Sequence, residues 1–92
     1  MIKSFECVET QRLFQGFRAA RFANIERPAS RKLKQLDLAR HIEDMRAPPG
    51  NRLERLSGNR TGQWRVRVND QWRVCFRFED GDAFNVEIVD YH

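Results

Sequence analysis

The sequence has 92 residues, of which 40% are hydrophobic and 11% aromatic. A chain of this length has room for one core only, and its apolar content is too high for a disordered segment, so we expect one folded domain over residues 1–92. Seventeen Lys and Arg against thirteen Asp and Glu give a net charge of +4, which favours polyanionic partners such as nucleic acid. On charge alone, a basic domain without such a partner is an equally good interpretation.

The two cysteines, Cys7 and Cys75, lie far apart and have no CxxC motif or histidine-rich neighbourhood. This pattern indicates neither a zinc cluster nor a disulfide framework, and we expect no metal and no cofactor. No apolar run is long enough to span a membrane, and the hydrophobic stretch at the start is too short for a signal peptide. We therefore expect a cytoplasmic protein.

The chain begins with a predicted strand and a predicted helix. Residues 2–6, IKSFE, alternate apolar and polar side chains, as short strands do. Residues 9–22 have apolar residues at helical spacing, although Gly16 disfavours a continuous helix. The apolar side of this helix is predicted to contain Leu13, Phe14 and Phe17.

A second helix is predicted more clearly. Pro28 and Ser30 are start signals, and the helix should end before residues 47–50, APPG, because proline restrains the preceding residue and cannot continue a helix. Its stripe is predicted to run through Leu33, Leu36, either Ala39 or Arg40, and Ile42.

After Gly50 the hydrophobic period changes to two, which predicts strands. A tight hairpin is predicted at Asp80 and Gly81. The four strands are expected at residues 51–56, 63–68, 71–78 and 83–89. With the N-terminal strand, this order predicts an α+β fold in which two helices pack on one face of a mainly antiparallel sheet of four to five strands.

Alternation places the two faces of this sheet in very different environments. Trp64, Val66 and Val68 share an apolar face with the alternate residues of the next strand, and the helices must cover that face. The opposite face, which we call the arginine face, carries Arg65, Arg67, Arg73 and Arg77. An ordinary solvated sheet face is one interpretation, but the planar fork of arginine favours phosphate binding.

Two segments resemble a known family: LSGNRTGQWRVRVNDQWRVCFRF at residues 56–78 and DGDAFNVEIVDYH at residues 80–92. They are similar to the HigB group of RelE-type bacterial toxins, and the likeness extends over essentially the whole chain. The resemblance implies a toxin that enters the ribosomal A site and cuts mRNA there, and that a helix-turn-helix, HigA-like antitoxin silences. It implies operator DNA as a partner only through the antitoxin, and no membrane partner. The catalytic residues that it implies are Asp90, Tyr91, His92 and Arg73.

The chemistry of RNA cleavage fits these residue types. Attack by the 2′-hydroxyl needs a base, a cation beside the phosphoryl oxygens and an acid for the departing 5′-oxygen. Imidazole, with an unperturbed pKa of ~6.5, makes His92 the candidate acid. Glu54 is the candidate base, although described family members have histidine at this position and lysine where this chain has Ser57. RNA-binding roles are expected for Arg55, Arg60, Arg65, Arg67 and Arg77.

Two further interpretations compete with the ribonuclease. A non-catalytic module could occupy an RNA or ribosomal site through the arginine face and block translation without cutting. A structural partner that only binds an antitoxin is a weaker alternative, since it gives the segment from Asp90 to His92 no task.

Overall fold

The computed structural model describes residues 1–91. Four antiparallel strands form one sheet in the order β1-β2-β3-β4, and two helices pack on one face of it around a single core. The elements are α1 (Val8–Phe14), α2 (Glu26–Leu38), β1 (Glu54–Arg55), β2 (Trp64–Arg67), β3 (Trp72–Glu79) and β4 (Asp82–Asp90). The predicted α+β class and the placement of the helices are confirmed. Among the described residues, no helix combines the length and the hydropathy needed to cross a membrane.

The N-terminal segment lies along the free edge of β4, where a strand was expected. It pairs through two isolated parallel bridges, Ile2 with Ala83 and Phe5 with Val86, instead of a continuous ladder. The interruption coincides with Asn85, whose φ of 54° breaks the regular extension of β4. The Ser4 hydroxyl accepts the Asn85 backbone N–H at 2.8 Å, so a side chain replaces the missing ladder bond there.

The first helix is shorter than the sequence predicted. It ends at Phe14 instead of continuing to residue 22, because Gly16 adopts a φ of 94° and turns the chain. Phe17 is consequently 54% exposed and not part of the apolar side, and the Arg12 guanidinium lies 5.0 Å from its ring centroid. Residues Ala20–Ile25 form a 3-10 turn that buries Phe22 in the core.

The second helix begins two residues before Pro28 and ends at Leu38. Leu33 and Leu36 are fully buried, as predicted. The prediction that the helical stripe continues to Ile42 was wrong, because Ala39 is extended and a separate 3-10 turn covers Ile42–Arg46.

The strands confirm the two faces. Val66 pairs with Val74, which pairs with Ile88, and all three are buried beneath the helices. On the other face Arg65 is opposite Cys75, while Arg67 is opposite Arg73. The tight hairpin is also confirmed, with positive φ at Asp80 (50°) and Gly81 (82°), the backbone that a two-residue turn requires.

β1 contains two residues where six were predicted, so the sheet alone holds it weakly. The chain is fixed just before it by Asn51, which is fully buried. The Asn51 amide donates to the backbone carbonyls of Met45 (3.0 Å) and Ala47 (3.1 Å), and its oxygen accepts from the Lys32 ammonium. Burial, followed by the neighbouring Arg31, lowers the pKa of Lys32. These bonds set the position from which β1 starts.

Candidate functional site

A cavity of about 600 Å³ opens on the arginine face, between β1, the loop that follows it and the ends of β3 and β4. Seven of the ten site residues predicted from the sequence line it: Glu54, Arg55, Arg60, Arg65, Arg73, Asp90 and Tyr91. The sheet register explains this convergence, since Glu54 pairs with Arg65 across β1 and β2 and Trp72 pairs with Asp90 across β3 and β4. Residues separated by 37 positions in the sequence therefore share one concave surface.

The Tyr91 ring packs against two arginines of neighbouring strands, Arg65 on β2 and Arg73 on β3. The Arg73 guanidinium carbon is 4.2 Å from the tyrosine ring centroid, and that of Arg65 is 4.6 Å away. Cation–π contacts of this kind contribute about 0.5–1 kcal/mol each at exposed sites. The ring thus orients two cations at one end of the cavity.

Arg73 is held in place by backbone groups as well as by Tyr91. Its Nη1 donates to the carbonyl oxygens of Asn69 and Trp72, the latter at 3.1 Å, which leaves Nη2 and Nε as donors for a ligand. The Asn69 side chain in turn accepts the backbone N–H of Trp72 at 2.8 Å, which fixes the turn that presents those carbonyls. Burial, followed by Arg67 and Arg65, lowers the pKa of Arg73, as expected where cations are crowded.

Glu54 stands at the rim of the cavity, 53% exposed, with Oε2 2.6 Å from Nη2 of Arg65. Arg55 extends over the Trp64 ring, 5.4 Å from its centroid. At the opposite side, Asp90 accepts a hydrogen bond from the Gln71 amide at 3.4 Å. The carboxylates of Glu54 and Asp90 thus lie on either side of Arg65 and Arg73.

At the end of the cavity near Arg60, a carboxylate balances the positive charge of this arginine. Nη1 of Arg60 lies 2.9 Å from the Glu87 carboxylate and 3.0 Å from the Gln63 amide oxygen. The hydrogen bond to Glu87 raises the pKa of Arg60. Cys75 forms the floor beside this pair, and burial raises the pKa of its thiol, which agrees with a small filler more than with a nucleophile.

Two of the predicted residues that the structure describes, Arg67 and Arg77, are not in the cavity lining. Arg67 pairs with Asp70 in the turn between β2 and β3, and Arg77 lies against Gly62. These two arginines therefore lie beside the cavity and not inside it, and their RNA-binding role stays a prediction. His92 falls outside the described residues.

The sequence reasoning gave no role to several lining residues, chiefly Leu56, Ser57 and Asn59. They belong to the loop between β1 and β2, which includes a 3-10 turn at Gly58–Arg60. The available signal was the Gly-Asn-Arg sequence of this turn, because small and amide residues between two strands mark a loop that can approach a ligand. Within residues 1–91, no group of three or more His, Cys, Asp or Glu is placed to hold a metal ion.

Comparison with known proteins identifies the family. Residues 4–92 match the model of the HigB-like toxins, described as the RelE-like toxin of the type II toxin–antitoxin system HigB. The chain belongs to this family. The HigB resemblance drawn from the two sequence segments is confirmed, and an antitoxin partner follows because a type II system pairs its toxin with an antitoxin.

Individual relatives agree with this assignment. The chain is 32% identical over 93 residues to the protein named Endoribonuclease HigB of Proteus vulgaris, an alignment that spans both chains in full. It is 48% identical over 63 residues to Toxin HigB-1 of Vibrio cholerae, which is 68% of this chain and 66% of that protein. The YoeB toxin of a YoeB–YefM toxin–antitoxin complex from Staphylococcus aureus shares the fold of this HigB-family chain, with a TM-score of 0.58, 14% identity and coverage of 100% and 98% of the two chains.

Proposed function

We propose that this HigB-family toxin is an endoribonuclease that cleaves mRNA in the ribosomal A site and thereby inhibits translation. The observation that supports the proposal most is the cation pair Arg65 and Arg73, oriented by Tyr91 in a cavity that also contains two carboxylates. The name of the Proteus vulgaris relative supports the same activity. All steps are assigned to protein groups, so the proposed cleavage is independent of metal.

Arg73 is assigned to the scissile phosphate. Its Nη1 is occupied by two backbone carbonyls, so the remaining donors are held in a fixed direction and need no reorganisation as charge grows on the phosphoryl oxygens. Arg65 supplies a second positive charge within the same cluster. Arg55 and Arg60, at the rim, are assigned to the neighbouring phosphates, with weaker support from Arg67 and Arg77 beside the cavity.

The two proton transfers are assigned to Glu54 and His92. Glu54 accepts the proton of the 2′-hydroxyl, whose oxygen then forms a bond to phosphorus while the bond from phosphorus to the 5′-oxygen breaks. His92, which follows Tyr91 directly in the sequence, donates a proton to that departing oxygen, and Asp90 supports it. The products are a 2′,3′-cyclic phosphate and a 5′-hydroxyl end.

The partner assignments follow from the same proposal. Ribosome-bound mRNA is the substrate, and a HigA-like antitoxin with a helix-turn-helix domain is the inhibitor. Operator DNA is contacted only through that antitoxin. Such a toxin acts in the cytoplasm.

The test is to map mRNA 5′ ends in cells after brief induction of the toxin. We expect new ends confined to translated regions, and none after induction of Arg73→Gln. Purified toxin should also cut message on programmed ribosomes and leave 5′-hydroxyl ends. Intact messages with stalled protein synthesis would instead support the non-catalytic module that blocks translation.

A further inference from the structure

Thr10 is a buried polar residue to which the proposed cleavage gives no task. Within residues 1–91, Thr10 and Asn51 are the polar side chains that are fully buried. Asn51 fixes the start of β1, which carries Glu54 into the cavity. A threonine within a helix usually faces solvent or bonds to the backbone of its own helix, but the Thr10 hydroxyl of α1 contacts β4. Each of the two residues therefore holds a strand that borders the cavity.

The outer edge of β4, on the side away from β3, is paired with the N-terminal segment along only part of its length. The Val86 N–H donates to the Ser4 carbonyl at 3.1 Å, and the chain then leaves this edge to form α1. Two residues further along β4, the Ile88 N–H donates to the Thr10 hydroxyl at 3.0 Å in a buried environment. Thr10 thus supplies the acceptor that a neighbouring strand would otherwise provide, and a buried N–H without an acceptor is costly.

This hydrogen bond acts close to the candidate site. Ile88 lies two residues before Asp90 and three before Tyr91, both of which line the cavity. On the other side of the strand, the Tyr91 N–H donates to the Gln71 carbonyl, in the turn before β3, at 2.5 Å. The end of β4 is therefore held between that turn on one side and α1 on the other.

We propose that Thr10 is a positioning residue for RNA cleavage, because its hydroxyl holds the end of β4 where the Tyr91 ring packs against Arg73. The inference rests on the proposed function, which assigns Arg73 to the scissile phosphate. Without the hydroxyl, the end of β4 is held from the β3 side alone, and the ring moves relative to the guanidinium carbon that lies 4.2 Å from its centroid. A misplacement of about 1 Å at a reacting centre lowers a rate by up to about 100-fold.

Two pairs of variants isolate the hydroxyl. Thr10→Val keeps the shape of the wild-type side chain without the acceptor, and Thr10→Ala differs from Thr10→Ser by the hydroxyl alone. The matched control is Ser4→Ala, which removes another hydroxyl that accepts a β4 backbone N–H, that of Asn85 at 2.8 Å, five residues before Asp90. Urea unfolding measures the stability of each variant. If Thr10→Val does not fold, the alanine and serine variants give the comparison.

The position of Tyr91 is measured without cleavage. Tyr91 is the single tyrosine of the chain, so NMR signals of its ring are assigned without ambiguity. We expect Thr10→Val and Thr10→Ala to shift these signals and to speed amide hydrogen exchange at Tyr91 by on the order of 10-fold or more. Thr10→Ser and Ser4→Ala should keep both near the wild-type values.

Single-turnover cleavage on programmed ribosomes, with toxin in excess, measures the consequence for the reaction. Thr10→Val and Thr10→Ala should lower the limiting rate by on the order of 10-fold and leave the toxin concentration at half-maximal rate unchanged. Thr10→Ser should recover most of the rate, and Ser4→Ala should cut at the wild-type limiting rate.

Two outcomes would overturn the proposal. One is a Thr10→Val protein that is less stable but keeps the wild-type Tyr91 signals and limiting rate, which would leave Thr10 with a structural role only. The other is an equal loss of rate in Thr10→Val and Ser4→Ala, which would mean that any weakening of the β4 edge slows cleavage. A wild type that never cuts refutes the proposed function instead, and the Tyr91 signals and amide exchange still decide whether Thr10 holds the end of β4.

Discussion

Replacing Arg73 tests the centre of the proposed mechanism. Arg73→Gln removes the charge, while Arg73→Lys keeps it but loses the planar fork that contacts both Tyr91 and two backbone carbonyls. The control is Arg67→Gln, which removes one positive charge from the same sheet face outside the cavity. Arg73→Gln measures the effect of the charge at position 73, and Arg73→Lys measures the effect of the fixed guanidinium orientation. Arg67→Gln measures the effect of losing one positive charge elsewhere on the same face.

The magnitudes follow from the contacts. A preorganised donor that acts in the transition state contributes about 2.7–4 kcal/mol, so Arg73→Gln should lower the rate of the chemical step by on the order of 100-fold or more. Lysine should recover part of this loss, because its charge remains but neither the ring contact of about 0.5–1 kcal/mol nor the fixed direction does. Arg67→Gln should chiefly weaken binding.

Single-turnover cleavage on programmed ribosomes, with toxin in excess, measures the chemical step and its concentration dependence separately. We expect Arg73→Gln to lower the limiting rate and Arg67→Gln to raise the toxin concentration needed to reach it. If Arg73→Gln cuts at the wild-type limiting rate, Arg73 does not contact the scissile phosphate. Equal limiting rates for the lysine and glutamine variants would refute the expectation that the charge of lysine recovers part of the lost rate.

Three other substitutions or modifications probe the base, the support of β1 and the cavity floor. Glu54→Gln should lower single-turnover cleavage by on the order of 100-fold, and Glu54→His should restore part of it; a fully active glutamine variant would leave Glu54 as an ion-pair partner only. Asn51→Leu should lower the free energy of unfolding in urea by about 2–4 kcal/mol, because its buried carbonyl partners lose their donor; a loss below about 1 kcal/mol would contradict this. Cys75 should resist alkylation in the folded protein, whereas the half-buried Cys7 should react. Alkylation of Cys75 should accelerate only as pH rises above the ordinary thiol range, because its raised pKa keeps the Cys75 thiol protonated. Mass spectrometry after timed labelling measures the modification of each cysteine.

The two faces of the sheet could be predicted from the sequence because strand alternation is a local property. Val66 and Arg65 must point to opposite sides whatever the rest of the chain does, and the apolar side must find a cover. The turn at Asp80 and Gly81 was equally local, since two residues with positive φ suffice to define it.

The ends of the helices could not be predicted in the same way. Leu13 and Phe17 have helical spacing, yet Gly16 turns the chain between them and only the first is buried. Apolar residues on both sides of such a break satisfy a helical pattern whether or not the backbone continues through it. Ile42 repeats the problem at the end of α2, where Ala39 leaves the helix before the stripe of apolar residues ends.

The sequence predicted most of the charged residues of the cavity, but not how these residues are arranged in it. Glu54 and Arg65 were both candidates, but their 2.6 Å ion pair depends on β1 pairing with β2 in one register, which alternation alone does not set. The loop that holds Asn59 was recognisable only as a loop. Its place in the same cavity lining as Arg73 is a tertiary property, which the local sequence does not determine.

The contacts in the cavity connect Glu54, the proposed base, to Arg73, the proposed ligand of the scissile phosphate. Glu54 pairs with Arg65, whose guanidinium packs on the Tyr91 ring, and the same ring packs against Arg73. A carboxylate at position 54 therefore has two possible tasks in this chain, to accept a proton and to orient a cation, whereas the histidine of described family members could not form such an ion pair when neutral. In the proposed mechanism, a phosphate of the incoming RNA competes with Glu54 for the guanidinium of Arg65. Displacement of the carboxylate by that phosphate would free Glu54 beside the incoming 2′-hydroxyl, so substrate binding itself would release the base.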